Sequence, residues 1–278
     1  MTKELIVDAK QRNERADVVL ASEIDGYSRS QVKRLFDDNR VIQAGKILKP
    51  ADKVSGLIEV SLFESKKEPQ PIKVLYEDND VVVIDKPSGL LTHAKGGHID
   101  EFTIADFIAA KTTDQSAGRP GIVHRLDRAT SGVMILAKNT KSRVMLQKQF
   151  SSRTAKKQYI ALVKGLVKPA KQRFEWPIAR NPKKPSTFKV SPQGKAAVTD
   201  IELLDTVNSQ SKLLVVPETG RTHQIRVHLA HAGHPVVGDS IYGGPKAPRL
   251  MLHAALLKLT TPDGTNREFR STEPQDFL

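Results

Sequence analysis

Short apolar runs separated by polar turns dominate the chain after residue 72. Runs of four to eight apolar residues that are bounded by Gly, Ser or Asn are typical of buried strands. Such runs occupy residues 81–84, 133–137, 159–163 and 212–216, whereas helical spacing is confined to fewer segments such as 103–110 and 141–150. The mixture predicts an α+β fold built on a mixed, largely antiparallel β-sheet.

The first sixty residues follow a different pattern. A helix is predicted over residues 31–36, because Val32, Leu35 and Phe36 recur on one face and Ser28 can cap its first turn. A hairpin turning near Ala44–Gly45 and a strand over 56–62 would complete a small α/β module. The face opposite the apolar one is basic and carries Arg29, Lys33 and Arg34.

A charged segment with two prolines lies between these regions, where neither a helix nor a strand would persist. We therefore predict a small domain over residues 1–64, a linker over 65–71 and a larger domain over 72–278. No apolar run is long enough to span a bilayer, and the N-terminus lacks the apolar core of a signal peptide. A cytoplasmic protein without a membrane association is expected.

Charge narrows the choice of partner. Lys and Arg number 44 against 31 Asp and Glu, which gives a net charge of +13 and a pI near 9.8. Such an excess points to a polyanion, with nucleic acid ahead of a membrane surface. The chain has no cysteine, which excludes disulfides, thiol nucleophiles and thiolate metal sites.

The segment His124-Arg-Leu-Asp-Arg-Ala-Thr-Ser-Gly132 carries the main candidate for chemistry. Asp127 lies between Arg125 and Arg128, in a loop that leads into the predicted strand at 133–137. A carboxylate held by flanking arginines would stay ionised on a rigid scaffold, where catalytic groups concentrate. In isolation, such an aspartate is more often the cap of a turn.

Three further segments carry site-like residues: 85–89 (Asp-Lys-Pro-Ser-Gly), 157–165 and 219–228 (Thr-Gly-Arg-Thr-His-Gln-Ile-Arg-Val-His). Together with the Asp127 motif they resemble the RluA-type pseudouridine synthases, over the whole chain from about residue 74. The sister RsuA-type group usually has Gly where this chain has His124. The resemblance implies an isomerase that breaks the bond between uracil and ribose, turns the base and rejoins it through carbon.

The resemblance also implies roles for residues. Asp127 would attack the ribose or otherwise assist departure of the uracil. Arg221 would form a salt bridge with Asp127, and Tyr159 would pack against the uracil. Arg125 would fill the space that the flipped uridine leaves in the RNA. No cofactor is implied, in keeping with the absence of a Walker loop and of a GxGxxG fingerprint.

The N-terminal region has its own resemblance. Arg15-x-Asp17-x-x-Leu20, the Ser28–Leu35 segment, Val41 and Gly45-Lys46 resemble the RNA-binding module of small-subunit ribosomal protein four, here called the S-four-like module. It departs where family members often have Gly-Asp, because Leu57 follows Gly56. The resemblance implies that the basic face of the helix contacts RNA phosphates through Arg29, Lys33 and Arg34.

Four histidines, at 223, 228, 231 and 234, raise the question of a metal. No His-Glu-x-x-His pair is present, and on a strand positions 223 and 228 would face opposite sides. Histidines bonded to the backbone are therefore expected, with no metal.

We therefore expect a monomeric RNA pseudouridine synthase whose substrate is large-subunit ribosomal RNA, because members with an S-four-like module mostly modify that RNA. Two alternatives stay open at this stage. One is a non-catalytic RNA-binding or ribosome-assembly factor. The other is a metal-dependent RNA hydrolase, which the missing acidic cluster argues against.

Overall fold

The computed structural model describes residues 2–10, 13–24, 27, 29–63, 69–93, 101–114 and 119–277. The chain divides into two compact units. The smaller unit comprises residues 1–70 with 93–103, and the larger comprises 71–92 with 104–278. The proposed limits of the domains and of the linker stay a prediction. No helix among the described residues is long and apolar enough to cross a membrane.

The smaller unit pairs two helices with short strands. Its elements are β1 (Thr2–Asp8), β2 (Glu14–Arg15), α1 (Ala16–Glu23), α2 (Arg29–Asp37), β3 (Val41–Gln43), β4 (Lys46–Ile47), β5 (Lys53–Val54) and β6 (Leu57–Phe63). Four strands form an antiparallel sheet in the order β1-β6-β3-β4, with β3 and β4 as the predicted hairpin. Val32 and Leu35 of α2 are buried with Ile58 of β6. The predicted cap, Ser28, lies outside the described residues.

The larger unit begins at β7. Its elements are β7 (Lys73–Glu77), β8 (Val81–Lys86), α3 (Ile104–Ala109), β9 (Ser131–Ala137), α4 (Thr140–Ser151), β10 (Lys156–Lys164), β11 (Lys171–Phe174), β12 (Ile178–Arg180), β13 (Phe188–Val190), β14 (Thr199–Val207), β15 (Gln210–Pro217), α5 (Gln224–His231), β16 (Leu252–Thr260), β17 (Asn266–Arg270) and the 3-10 turn Gln275–Phe277.

Among the described residues of this unit, nine strands form one sheet. Eight follow the order β11-β14-β15-β10-β16-β9-β8-β7, and β17 pairs with β16. Of these strand pairs, only that of β9 with β16 is parallel. The predicted α+β architecture with a largely antiparallel sheet is confirmed, and the four apolar runs lie in β8, β9, β10 and β15.

The start of β9 sets the position of the Asp127 loop. Every residue of β9 is buried, because helices and strands cover both faces of an apolar run. Gly132 has a φ of +114°, and a Cβ there would collide with the carbonyl oxygen of Ala254 in β16. Only glycine lets the two backbones approach this closely. The Asp127 loop is thereby anchored to the centre of the sheet.

Candidate active site

An open cavity of about 570 Å³ lies in the larger unit. The Asp127 loop, the end of α4, the strand β10 and the segment between β15 and α5 line it. Asp127, Arg125, Tyr159 and Arg221 all contribute to its walls, so the structure brings together the four site residues predicted in this part of the chain. A cavity of this size fits a nucleotide.

The carboxylate of Asp127 faces two basic side chains. Its Oδ2 lies 3.4 Å from Nη1 of Arg226 and 3.8 Å from Nε2 of His223. The side chain is 18% exposed, so it stays accessible from the cavity. A backbone bond of 3.1 Å from the nitrogen of Thr130 to the carbonyl of Asp127 closes the turn that carries it.

The predicted salt bridge between Arg221 and Asp127 is wrong. Nε of Arg221 donates instead to the carbonyl of Ala196 at 3.0 Å. The side chain of Gln224 accepts from the backbone nitrogen of Arg221, and the backbone nitrogen of Gln224 donates to the carbonyl of Arg221, which closes the turn before α5. Because α5 starts at residue 224, the second arginine of the motif, Arg226, lies on the buried side of the helix and reaches Asp127.

Arg226 is held by a second carboxylate. Its Nε and Nη2 donate to the two oxygens of Asp239 at 2.7 and 2.8 Å, which is the bidentate geometry that suits a planar guanidinium. Burial opposes the charge, but the hydrogen bond and the attraction of Asp239 raise the pKa of Arg226. The fork leaves Nη1 directed at Asp127, so Asp239 fixes where that positive charge lies.

His223 adopts an uncommon backbone conformation. It precedes α5 with a φ of 57° and a ψ of 18°, in the left-handed region. Non-glycine residues there cost on the order of 1 kcal/mol and cluster at functional sites. Its Nδ1 lies 2.8 Å from the hydroxyl of Tyr242, and its carbonyl accepts from the nitrogen of Val227. These contacts hold the ring beside Asp127.

Tyr159 and Lys157 reach the cavity from the same strand. The register of β10 shifts at a bulge between Gln158 and Tyr159, where it pairs with β16. Bulges of this kind re-aim side chains. Burial, and then the negative charge of Asp127, raise the pKa of Tyr159, so its hydroxyl keeps its proton at neutral pH. Burial lowers the pKa of Lys157.

The arginines that flank Asp127 in the sequence do not hold it. Arg125 is exposed at the cavity wall, and Nε of Arg128 donates to the carbonyl of Gly89 at 3.1 Å. The basic side chains within 4 Å of the carboxylate that the structure gives are instead Arg226 and His223.

His124, at the start of the Asp127 motif, packs against α4 and β9. Its ring stacks on Phe150 with centroids 4.3 Å apart, and its Nε2 accepts from the backbone nitrogen of Ile135. Burial, and then the charge of Lys157, lower the pKa of His124 to about 3. The imidazole is therefore neutral, and its role in this structure is packing.

Lys86 ties a second loop to the Asp127 loop. Its fully buried ammonium donates to the carbonyls of Leu90, Pro87 and Arg128 at 2.7, 2.9 and 3.1 Å. Burial lowers the pKa of Lys86 to about 7, although the charge of Asp127 opposes this. The segment at 85–89, which has a site-like sequence, thus supports the loop without lining the cavity.

Two of the other three histidines of this group form hydrogen bonds within the protein, and the ring of His231 meets that of Trp176 edge-on. His228 bonds to Thr199 and to the carbonyl of Trp176, and His234 bonds to the carbonyl of Lys164. The assumption of a strand at 223–228 is wrong, because this segment caps and enters α5. Within the described ranges, no three His, Asp or Glu side chains are grouped so that they could hold a metal ion.

The family model for RNA pseudouridylate synthases matches residues 80–231. The ribosomal large subunit pseudouridine synthase D of Escherichia coli K12 is 35% identical over 98% of this chain and 91% of its own length. The chain belongs to the RNA pseudouridylate synthase family. It is an isomerase of the RluA type.

Other members of the family agree with this assignment. The Bacillus subtilis protein described as an uncharacterized RNA pseudouridine synthase, YlyB, is 34% identical over 99% of this chain and 95% of its own length. The structure of human RNA pseudouridylate synthase domain containing 1 superposes with a TM-score of 0.62 at 29% identity, and covers 76% of this chain and 87% of the human one.

Sequence reasoning missed four residues of the site: Arg226, His223, Asp239 and Tyr242. Arg226 lies within a site-like segment, but that segment contains two arginines and its spacing alone does not rank them. The sequence pattern favoured the wrong element here, because Ile225, Val227 and Leu229 alternate with polar residues as in a strand, whereas the structure forms a helix whose residues 224–229 are all buried. Nothing in the sequence marks Tyr242.

Proposed function

We propose that this enzyme isomerises specific uridines of large-subunit ribosomal RNA to pseudouridine. The observation that carries the proposal is Asp127, held at an open cavity beside Arg226 and His223. The names of its relatives and the net charge of +13 support ribosomal RNA as the substrate. We also propose that it acts as a monomer, since docking on a large RNA needs no second copy.

The reaction exchanges one bond for another. The bond from the ribose C1′ to N1 of uracil breaks and a bond from C1′ to C5 forms, while C5 loses a proton and N1 gains one. In this proposal Asp127 assists departure of the uracil, and Arg226 takes the electrostatic role that the resemblance gave to Arg221. Tyr159, with its protonated hydroxyl, packs against the face of the base.

The uridine must leave its stack before Asp127 can reach the sugar, which costs a few kcal/mol and least in loops or bulges. Arg125, exposed at the cavity wall, is proposed to enter the vacated space. Single-stranded loops of ribosomal RNA are therefore the proposed targets.

The test compares pseudouridine maps of large-subunit RNA from cells with and without the gene. Loss of one or more sites, restored by the wild-type gene and not by Asp127→Asn, is expected. Asp205→Asn, an exposed residue of β14, serves as the matched control and should restore the sites. An unchanged map would refute the choice of ribosomal RNA, and full rescue by Asp127→Asn would refute the mechanism.

For the smaller unit we propose that α2 contacts RNA phosphates, as in S-four-like modules. Lys33 and Arg34 are exposed on α2, and Nε of Arg34 lies 3.7 Å from Asp38. The side chain of Arg29 lies outside the described residues. Replacing Lys33 and Arg34 by Ala should reduce the slope of log affinity against log salt by about 1.4, or 0.7 for each phosphate that is no longer neutralised. Lys53→Ala, also exposed, should leave the slope unchanged.

A further inference from the structure

We propose that Tyr242 is a positioning residue that orients both basic partners of Asp127 at once. The inference rests on the proposed function, since it takes Asp127 as the reacting carboxylate. Tyr242 lies in the turn between α5 and β16 and contacts His223 through its hydroxyl and Arg226 through its ring. Tyr242 is not among the site residues predicted from the sequence.

The hydrogen bond from the hydroxyl of Tyr242 favours one tautomer of the His223 imidazole. The backbone nitrogen of Phe188 donates to this hydroxyl at 3.0 Å, and the hydroxyl hydrogen is then free to point at Nδ1 of His223, 2.8 Å away. With the hydroxyl as the donor of this bond, a neutral His223 carries its own hydrogen on Nε2, the nitrogen that faces Asp127. Burial raises the pKa of Tyr242, which keeps the donated hydrogen in place at neutral pH.

Two aromatic rings also fix the direction of the imidazole. The rings of Tyr242 and Phe188 meet it edge-on, with centroids 5.6 and 5.7 Å away. Together with the left-handed backbone of His223, these contacts leave the ring little freedom to rotate. Its Nε2 therefore stays directed at Asp127 before any substrate arrives.

The ring of Tyr242 supports Arg226 independently of the hydroxyl. The guanidinium carbon of Arg226 lies 5.1 Å from the centroid of the Tyr242 ring, within the range of a cation–π contact. The turn that carries Tyr242 is also tied to Asp239, whose Oδ1 accepts from the backbone nitrogens of Ile241 and Tyr242. One turn thus sets the position of Asp239, of Arg226 and, through the hydroxyl, of His223.

Two substitutions separate these contacts. Tyr242→Phe keeps the ring beside Arg226 and removes the hydroxyl, so we expect kcat to fall about 3- to 10-fold with KM within about twofold. Tyr242→Leu removes both contacts, and we expect kcat to fall about 10- to 100-fold. The substrate is ribosomal RNA from cells that lack the gene.

Tyr76→Phe is the matched control. Tyr76 also donates its hydroxyl, here to Asp78 at 2.8 Å, and carries the guanidinium of Arg267 at 5.0 Å from its ring, but it lies on β7 outside the cavity. Tyr76→Phe should leave kcat within about twofold of the wild type. Thermal unfolding of each variant shows that it is folded.

A spectroscopic measurement tests the hydrogen bond without the reaction. In protein labelled with ¹⁵N-histidine, His223 is assigned by the loss of its signals in His223→Asn. The wild type should show Nδ1 without and Nε2 with hydrogen, and Tyr242→Phe should show a mixture of both forms, whereas Tyr76→Phe should match the wild type.

Two results would overturn the proposal: a fall in kcat in Tyr242→Phe no larger than in Tyr76→Phe, or an unchanged His223 spectrum in Tyr242→Phe. Failure of the proposed function is distinguishable, because it would show as no pseudouridine formed by the wild type. The spectrum would then still decide whether Tyr242 orients His223.

Discussion

Two arginines of the larger unit show opposite ways of using ion pairs. Arg173 on β11 contacts three carboxylates, with 2.7 Å to Glu175, 3.0 Å to Asp200 and 2.7 Å to Glu218. Among the described residues, Arg226 on α5 forms ion pairs with two carboxylates, those of Asp239 and Asp127. The side chain of Arg173 is 45% exposed, however, and that of Arg226 only 6%.

The comparison shows that the number of carboxylate partners does not decide whether an arginine is held rigidly in place; burial does. Water and salt screen the Arg173 cluster, so each of its contacts can be exchanged for solvent at little cost. Arg226 has no solvent to replace Asp239, and removing either partner would leave a buried charge alone. The buried pair is therefore the one that can hold a charge at a fixed place beside Asp127.

The largest effect is expected for Arg226→Met. The change leaves the buried carboxylate of Asp239 without its partner, so stability should fall by about 3 to 5 kcal/mol. It also removes the charge beside Asp127, and kcat should fall by at least about 100-fold. Urea unfolding and the rate of pseudouridine formation measure the two effects.

Arg173→Met makes the same chemical change and is the control. It should alter the unfolding midpoint far less than Arg226→Met and leave kcat unchanged, because Arg173 lies outside the main cavity. Equal losses of stability in both variants would contradict the contrast drawn between buried and exposed ion pairs.

A smaller effect is expected for Asp239→Asn, which keeps the shape of the side chain and removes its charge. Arg226 loses its bidentate anchor, so we expect a loss of about 2 kcal/mol in stability and about tenfold in kcat. Asp200→Asn, which makes the same change in the exposed Arg173 cluster, is the control and should change neither the stability nor kcat. An unaltered kcat in Asp239→Asn would mean that Arg226 needs no anchor.

Much of the fold was accessible from the sequence. The runs at 81–84 and 133–137 are strands buried on both faces, and those at 159–163 and 212–216 are strands in which fully buried and partly exposed residues largely alternate. Both kinds of strand leave a continuous apolar run in the sequence. Asp127, Tyr159 and Arg125 could likewise be assigned to one cavity from their motifs. Which strands pair with each other, including the parallel pair of β9 and β16, could not be predicted from the local sequence, because pairing joins residues far apart in the chain.

The partner of Asp127 could not be read in the same way. Arg221 and Arg226 are the same residue type five positions apart, and only the start of α5 turns the second one inward. The side chain of Gln224 accepts from the backbone nitrogen of Arg221 in the turn before α5, and it also donates to the carbonyl of Val198, 26 positions earlier in the chain. A contact made across the fold therefore decides which arginine reaches the carboxylate.

Lys86 extends the comparison to a buried cation that hydrogen-bonds to backbone carbonyls. Burial lowers its pKa from 10.5 to about 7, so above pH 7 the folded state binds fewer protons than the unfolded state. Stability should then rise with pH, by roughly 1 kcal/mol between pH 7 and 8, and this gain is lost as pH falls through 7.

The measurement is urea unfolding of the wild type and of Lys86→Met at pH 7 and 8. Lys86→Met lacks the titrating group, so its free energy of unfolding should rise less between pH 7 and 8 than that of the wild type, by roughly 1 kcal/mol. Lys171→Met, which removes an exposed lysine paired with Glu202, should keep the slope of the wild type. Equal slopes in all three proteins would show that Lys86 is not titrating in this range.

The smallest effect is expected from salt. Raising NaCl from 0.05 to 0.5 M shortens the screening length from more than about 10 Å to a few ångströms. The exposed Arg173 cluster should then contribute nothing, so the stabilities of the wild type and Arg173→Met should converge. The loss in Arg226→Met should persist, because neither water nor ions reach the bond between Arg226 and Asp239. If salt erased both differences equally, burial would not be what separates the two arginines.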